Sequence, residues 1–242
     1  MTVLAHSPAE ASVIIAETRH AILSHPVQSS KPGNAPVVLI MPLTASERAR
    51  DFAGEEKIYA ALAAASHPVA KVAWRRLWNP NGKERFAPRV NDLSEMISTM
   101  GAQTAPLHIA AIGNGTMVAL KWLSSLTKPT AKIAPHIQSL TLISPELQIF
   151  GRQPRTSLRD APHACCVVAD ASSDWSQTEL IATKLPSPPE FALAEDQLRF
   201  KLSFADRDAD ADIFEGATTF EGDWRLSWAD WLNSVAKEPT VA

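Results

Sequence analysis

The chain has 242 residues, of which 45% are hydrophobic and 20% are charged, and its formal net charge is -3. This length and hydrophobic fraction suffice for one α/β domain, so we expect residues 1–242 to form a single domain. No apolar run is long enough for a membrane span, and the N-terminus lacks the pattern of a secretory signal. We therefore expect a soluble, cytoplasmic protein without a membrane span.

Charge is distributed unevenly along the chain. Residues 1–159 contain 17 Lys and Arg against 10 Asp and Glu, a net +7, whereas residues 160–242 contain 6 against 16, a net -10. This asymmetry is consistent with head-to-tail association or with an acidic face meeting a basic partner. The simpler interpretation is that charged residues are unevenly distributed over a solvated surface. The pI of about 6.2 argues against a nucleic-acid partner.

Five apolar runs of strand length recur with helix-like segments between them. They are residues 37–41, 69–74, 107–112, 139–144 and 163–169. This alternation predicts an α/β fold with a mostly parallel central sheet and helices on both faces. The N-terminal segment, residues 1–36, is expected to add an antiparallel edge to the sheet.

Helices are predicted from composition and spacing. After a polar cap at Asn91, the apolar residues that follow fall on one helical stripe, and residues 117–126 come directly after a strand and a Gly-rich turn. In the C-terminal segment, residues 220–242, Trp224, Trp228 and Trp231 fall on one face of a predicted helix. Packing on the sheet is the simpler interpretation of this stripe, and an interface is the alternative.

The only two cysteines are the adjacent Cys165 and Cys166. Neighbouring residues on a strand point to opposite faces, so we expect no bridge between them. No zinc-binding spacing is present, and the acidic run of residues 206–212 lacks the residues of an EF-hand loop. We expect neither a metal nor a cofactor.

The segment from Leu107 to Leu120 is predicted to form a strand, a sharp turn of small residues and a helix. Its turn, Ala111-Ile112-Gly113-Asn114-Gly115, resembles the nucleophile elbow of the α/β hydrolases, whose pattern is small-x-nucleophile-x-small. The resemblance implies an α/β-hydrolase-like fold in which Gly113 stands where the catalytic serine belongs. Glycine tolerates the strained backbone of that position without supplying a nucleophile.

The resemblance continues at the strand that begins at Val37, which is similar to the strand preceding the family's oxyanion turn. Met41 and Pro42 replace the His-Gly pair of that turn. Because Pro42 fixes φ and has no N–H, we expect the Leu43 amide to be turned away from a reacting oxygen. Leu43, Asn114 and Thr116 are then expected to line a vestigial pocket.

The remaining members of the triad follow in the family's chain order. The position of the acid falls on Ser173, with Asp174 adjacent, and Thr219 takes the place of the histidine. No histidine follows residue 163, so the general base is expected to be absent together with the nucleophile. Residues 145–162 are too few for a helical cap domain.

These losses favour a non-catalytic α/β-hydrolase-fold protein that acts as an interaction or assembly partner, through a protein or a second copy, or as a small-ligand receptor. The first alternative is a divergent hydrolase or acyl-transfer enzyme with a non-serine nucleophile. Its nucleophile or base would come from elsewhere, such as Cys165, Thr116, Asp174 or another chain. The second is a dinucleotide-binding protein, in which Gly113 and Gly115 form the phosphate turn and Glu146 binds the ribose.

A basic cluster follows the second parallel strand. It contains Arg75, Arg76, Lys83, Arg85 and Arg89. These side chains are candidates for holding an anionic partner, and a solvated loop is the simpler interpretation.

Overall fold

The computed structural model describes residues 12–26, 34–43, 53–75, 87–100, 106–126, 136–146, 164–169, 190–193, 198–201, 218–219 and 223–235. Within these residues, ten strands form one sheet in the order β1-β2-β4-β3-β5-β6-β7-β8-β9-β10. The strands are β1 (Ser12–Glu17), β2 (Ala21–Pro26), β3 (Val37–Ile40), β4 (Val69–Trp74), β5 (Leu107–Ile112), β6 (Ile137–Ile143), β7 (Ala164–Ala169), β8 (Glu190–Leu193), β9 (Leu198–Lys201) and β10 (Thr218–Thr219).

The sheet is parallel at its centre and antiparallel at both edges. Strands β4, β3, β5, β6, β7 and β8 pair in parallel, whereas the hairpin of β1 and β2 joins β4 in the antiparallel direction. At the opposite edge, β9 and β10 also pair antiparallel. The predicted parallel sheet and its antiparallel N-terminal edge are therefore confirmed.

Helices cover both faces of the sheet. They are α1 (Glu55–Ala64), α2 (Ala87–Thr99), α3 (Gly115–Leu126) and α4 (Trp224–Val235). The pair α2 and α3 packs together on one face, and the pair α1 and α4 packs on the other. Across the described ranges, no helix combines the length and the apolar character that crossing a bilayer demands.

The central strands are buried on both faces, which explains why their sequences are apolar runs without alternation. In β3, Val38 and Ile40 belong to the core under α2 and α3, while Val37 and Leu39 belong to the core under α1 and α4. The cysteines of β7 follow the same rule, because Cys165 lies in the first core and Cys166 in the second. Both cysteines are buried, as predicted, and they form no disulfide with each other.

The tryptophan stripe of α4 lies in the core. Trp224, Trp228 and Trp231 retain 7%, 2% and 7% of their surface exposed. Trp228 Nε1–H also donates to Thr141 Oγ1 of β6 over 3.0 Å, so its polar atom is satisfied inside the protein. The interface interpretation of this stripe is wrong, because the sheet already covers the indoles.

Candidate functional site

The elbow predicted at Gly113 connects β5 directly to α3. Gly113 has a φ of +54°, a left-handed conformation that favours glycine. Its N–H donates to the Ile143 carbonyl over 2.9 Å, and its carbonyl accepts from Thr116 N–H and Glu146 N–H, each over 3.2 Å. The turn is thus held from both β6 and α3, with no side chain at the position of a nucleophile.

Gly115, the first residue of α3, allows the helix to approach the end of β3. A Cβ at this residue would lie 2.6 Å from the Met41 carbonyl oxygen and 2.9 Å from the Ile40 carbonyl oxygen. Both contacts are shorter than van der Waals distance and involve backbone atoms. The small residue of the elbow pattern is therefore required for packing.

The Leu43 amide has a partner inside the protein. Its N–H donates to Asn114 Oδ1 over 2.6 Å, and neither residue is exposed to solvent. Pro42, the preceding residue, has no N–H to offer. The amide that the family resemblance assigns to oxyanion stabilisation is therefore occupied by the side chain that follows Gly113.

The vestigial pocket expected around these residues is closed. The structure does bring Leu43, Asn114 and Thr116 together, but all three have 0% exposure. Thr116 Oγ1 has no hydrogen-bond partner in the part of the chain that the structure describes. The prediction that these three residues line a vestigial pocket is wrong, because α3 packs closely against β3 and leaves none of them exposed.

The structure places the position assigned to the base, and this position is remote from the elbow. Ser173 and Asp174 lie outside the described residues. The Thr219 backbone belongs to β10, where it pairs with Leu198 at the far edge of the sheet. Since β10 stands five strands from β5, its backbone lies roughly 24 Å away across the sheet.

A buried histidine pair lies near the amino ends of the parallel strands. His67 and His108 have no exposed surface, and their ring centroids are 5.3 Å apart in an edge-to-face arrangement. Burial and the nearby charge of His67 lower the pKa of His108 to about 3. His108 stands second in β5, roughly 16 Å along the strand from Gly113, so it is remote from the elbow.

Cys165, an alternative nucleophile, is also unsuited to catalysis. It is the second residue of β7, toward the amino end of the strand, and burial raises the pKa of its thiol to about 12. The thiolate is the nucleophilic form, so this side chain is unreactive near neutral pH.

Two members of the basic cluster lie in the described part of the chain, and they do not share a surface. Arg75 makes an ion pair with Glu17 on β1, and Arg89 is fully buried within α2. Arg76, Lys83 and Arg85 lie outside the described residues. The prediction that Arg89 binds an anionic partner is wrong. Arg89 lies in the first turn of α2, on the face of the helix that packs into the protein.

The geometry of the glycine turn argues against dinucleotide binding. The turn follows the third parallel strand of the chain, and the space in front of Gly115 is filled by the carbonyl oxygens of β3. A dinucleotide site needs that space for a pyrophosphate. Glu146 approaches the turn through its backbone N–H.

A pocket that the sequence did not reveal lies next to the elbow. Its volume is about 190 Å³, and it opens between the carboxyl ends of β3 and β4 and the start of α1. Among the described residues that line it, Met41, Pro42 and Ile112 supply apolar walls, and Glu55 and Lys71 supply charged groups. These residues come from separate parts of the chain, which leaves no local motif to find.

The start of α1, which borders this pocket, is fixed by α4. Arg225 Nε–H donates to the Ala53 carbonyl over 2.6 Å, and its Nη1 lies 2.8 Å from Asp223 Oδ1. Burial alone raises the pKa of Asp223, but the hydrogen bonds and charge of Arg225 outweigh it, so the net shift is downward. Gly54 has a φ of +58°, which permits the turn into α1.

No known family model matches this chain. Comparison with curated proteins gives no match.

Solved structures do share its fold. The chain is similar to an α/β serine hydrolase without lid from Xanthomonas campestris, with 19% identity, a TM-score of 0.51 and coverage of 77% of this chain and 84% of that one. It also resembles an α/β serine hydrolase homologue from Coxiella burnetii, with 13% identity, a TM-score of 0.51 and coverage of 92% and 95%. A hormone-sensitive lipase from a metagenome library has 10% identity, a TM-score of 0.53 and coverage of 93% and 87%.

These similarities agree with the strand order and with the arrangement of α1 and α4 on one face and α2 and α3 on the other. No large cap is present in the part of the chain described. The chain has the α/β-hydrolase fold.

Proposed function

We propose that this chain is a non-catalytic protein of the α/β-hydrolase fold that acts by binding a small ligand or a protein partner in the cytoplasm. The observation that carries the proposal is the 2.6 Å hydrogen bond from Leu43 N–H to Asn114 Oδ1. A hydrolase of this fold needs that amide free, because it must stabilise the negative charge that develops on the substrate oxygen.

Gly113 supports the same proposal, because it stands where the family has its nucleophile. Glycine has no group that can attack a carbonyl carbon, although its φ of +54° keeps the turn of the fold. The nearest hydroxyl in the sequence of the turn, that of Thr116, is buried with 0% exposure. A neutral hydroxyl without a base is a poor nucleophile.

Hydrolysis of esters is the alternative, because the solved structures of this fold are described as hydrolases or lipases. Turnover of p-nitrophenyl acetate and butyrate by purified protein tests it. We expect a rate equal to that of buffer. A catalytic rate that stays with the protein through a second chromatographic step would overturn the proposal, whichever residue supplies it. A trace rate that separates from the protein identifies a contaminant and leaves the proposal standing.

A second copy of this chain is the candidate protein partner. The edge strand β1 exposes Val13, Ile14 and Ile15 at 60%, 54% and 36%, and it contains no lysine or proline to block pairing. Antiparallel pairing of β1 with itself would bring the same apolar residues together in a two-fold dimer. Light scattering tests this: we expect a dimer that Ile14→Lys converts to a monomer, and a monomeric wild type would contradict it.

A further inference from the structure

The pocket of about 190 Å³ beside the elbow has a mixed lining with one polar end. Met41, Pro42, Trp74 and Ile112 supply apolar walls, and Glu55 and Lys71 supply the charged groups. Small-molecule sites usually combine apolar walls with a few polar groups that orient the ligand, and this pocket offers both.

Among the described residues, the two charged side chains that line the pocket neutralise each other. Glu55 Oε1 accepts hydrogen bonds from Lys71 Nζ and from the Tyr59 hydroxyl. The Lys71 and Glu55 side chains are 28% and 30% exposed, so both still reach the pocket space. Within the described residues, these contacts leave Glu55 Oε2 able to accept and the remaining Nζ hydrogens of Lys71 able to donate.

Trp74 forms a fixed flat wall of the pocket. Its Nε1–H donates to the Met41 carbonyl oxygen over 2.8 Å, which ties the end of β4 to the end of β3. The indole ring therefore has its polar atom satisfied within the protein. A planar ring of a ligand can contact such a wall with little loss of side-chain freedom.

The volume of the pocket indicates how large a group it can enclose. A cavity of about 150 Å³ holds benzene. The pocket of about 190 Å³ therefore has room for one ring with a small substituent.

The charge balance limits the polar group of the ligand. A ligand with a net charge would have to separate Lys71 from Glu55 or leave its own charge uncompensated in a half-buried site. A neutral group that both donates and accepts hydrogen bonds can bond to both side chains while their ion pair remains intact.

We infer that this pocket binds a small uncharged molecule with a single ring and one group that both donates and accepts hydrogen bonds, such as a primary carboxamide. The inference rests on one part of the proposed function, namely that the protein binds a small ligand. Its residues are separate from the Leu43–Asn114 pair on which the loss of catalysis depends.

Benzamide, benzoate and benzylamine are matched probes, because they share one ring and differ in charge. Titration calorimetry of the full chain at pH 7 should give the tightest binding for benzamide, by about tenfold over both charged probes. Wild-type protein that binds benzoate or benzylamine as tightly as benzamide, or that binds none of the three, would overturn the inference.

Two charge variants give a signature that a merely structural role would not produce. Glu55→Gln leaves the Lys71 charge unpaired, so the preference should shift toward benzoate. Lys71→Met leaves the Glu55 charge unpaired, so the preference should shift toward benzylamine. The exposed Glu95→Gln and Lys121→Met are matched controls and should keep the wild-type order. An unchanged order in both pocket variants contradicts the inference.

A third variant covers the case in which the charge variants fail to fold. Ala73 lines the pocket and is half-buried, so Ala73→Leu should fill part of the space and weaken benzamide binding about tenfold. Unchanged affinity in this variant would place the binding elsewhere and overturn the inference.

Ester turnover measured in the same samples distinguishes the two proposals. If the protein binds benzamide and also hydrolyses the ester, only the proposed loss of catalysis is contradicted.

Discussion

Leu43 and Asn114 lie 71 positions apart in the chain and are joined by a 2.6 Å hydrogen bond in a fully buried site. The bond links the turn after β3 to the turn after β5, the two loops that in a hydrolase of this fold would surround the reacting carbonyl. In this protein the same two loops are bonded to each other. The proposed loss of catalysis depends on this contact.

Restoring the serine at the elbow should not restore hydrolysis. Gly113→Ser places a hydroxyl at the right position, but the Leu43 amide remains occupied and the backbone of Thr219 lies at the far edge of the sheet. We expect no turnover of p-nitrophenyl acetate above buffer. The φ of +54° should also make the variant less stable by about 1–2 kcal/mol in urea unfolding.

The matched control for that experiment is Gly113→Ala, which imposes the same backbone strain without a hydroxyl. Equal losses of stability in the two variants are expected. An active Gly113→Ser protein, with Gly113→Ala inactive, would show that a base and an oxyanion site are both present.

Gly115 should tolerate no side chain. Because a Cβ would lie 2.6 Å from the Met41 carbonyl oxygen, Gly115→Ala must push α3 away from β3. We expect a loss of about 1–3 kcal/mol in the free energy of unfolding, as in other overpacked sites. The exposed Lys121→Ala on the same helix serves as the control. A wild-type urea midpoint for Gly115→Ala would contradict the close approach of the helix.

The buried His108 should make the fold sensitive to acid. Its pKa is about 3 in the folded protein, against 6.5 for an ordinary histidine, so the unfolded chain takes up a proton at a higher pH than the folded one. The contribution of neutral His108 is fully present above pH 6.5 and is lost as pH falls toward 3. The expected slope is about 1.4 kcal/mol per pH unit from this group.

Urea unfolding between pH 4 and pH 7 measures that slope. His108→Asn removes the titrating ring and should give a visibly shallower dependence of stability on pH, even though it loses packing. Parallel profiles for wild type and His108→Asn would show that this histidine does not remain neutral in the fold.

The stability of a Trp228 variant tests whether the tryptophan stripe of α4 belongs to the core or to an interface. Its ring is 2% exposed and its Nε1–H bonds to Thr141, so Trp228→Ala should cost about 3–5 kcal/mol of stability. The neighbouring Leu226, 51% exposed on the same helix, provides the control, and Leu226→Ala should change little. Similar stabilities for the two variants would contradict the core assignment.

The parts of the fold that could be predicted are those dictated by local composition. Strands β3 to β7 are apolar because they are buried on both faces, and the run of residues 107–112 predicted β5 with its observed bounds. Strands β8 to β10 have four, four and two residues, and β9 and β10 pair at the sheet edge. Segments this short have no pattern that separates them from loops.

The site was predictable only where one local motif defines it. The small-residue pattern of the elbow lies within five consecutive residues, so the sequence alone identifies Gly113 and Gly115. The partner of the Leu43 amide was missed because Asn114 reaches it through the tertiary fold. The sequence predicts Arg89 to be solvent-exposed for a similar reason. Local composition does not show that the basic segment begins a helix and that Arg89 lies on the buried face of this helix.

Amide hydrogen exchange at Leu43, followed by NMR, tests the central claim most directly. Because this N–H is bonded to Asn114 in a fully buried site, it should exchange as slowly as the amides of β3, and Asn114→Ala should accelerate it at least tenfold. Fast exchange at Leu43 in the wild-type protein, unchanged by Asn114→Ala, would show that the amide is free to bind an oxyanion and would contradict the account.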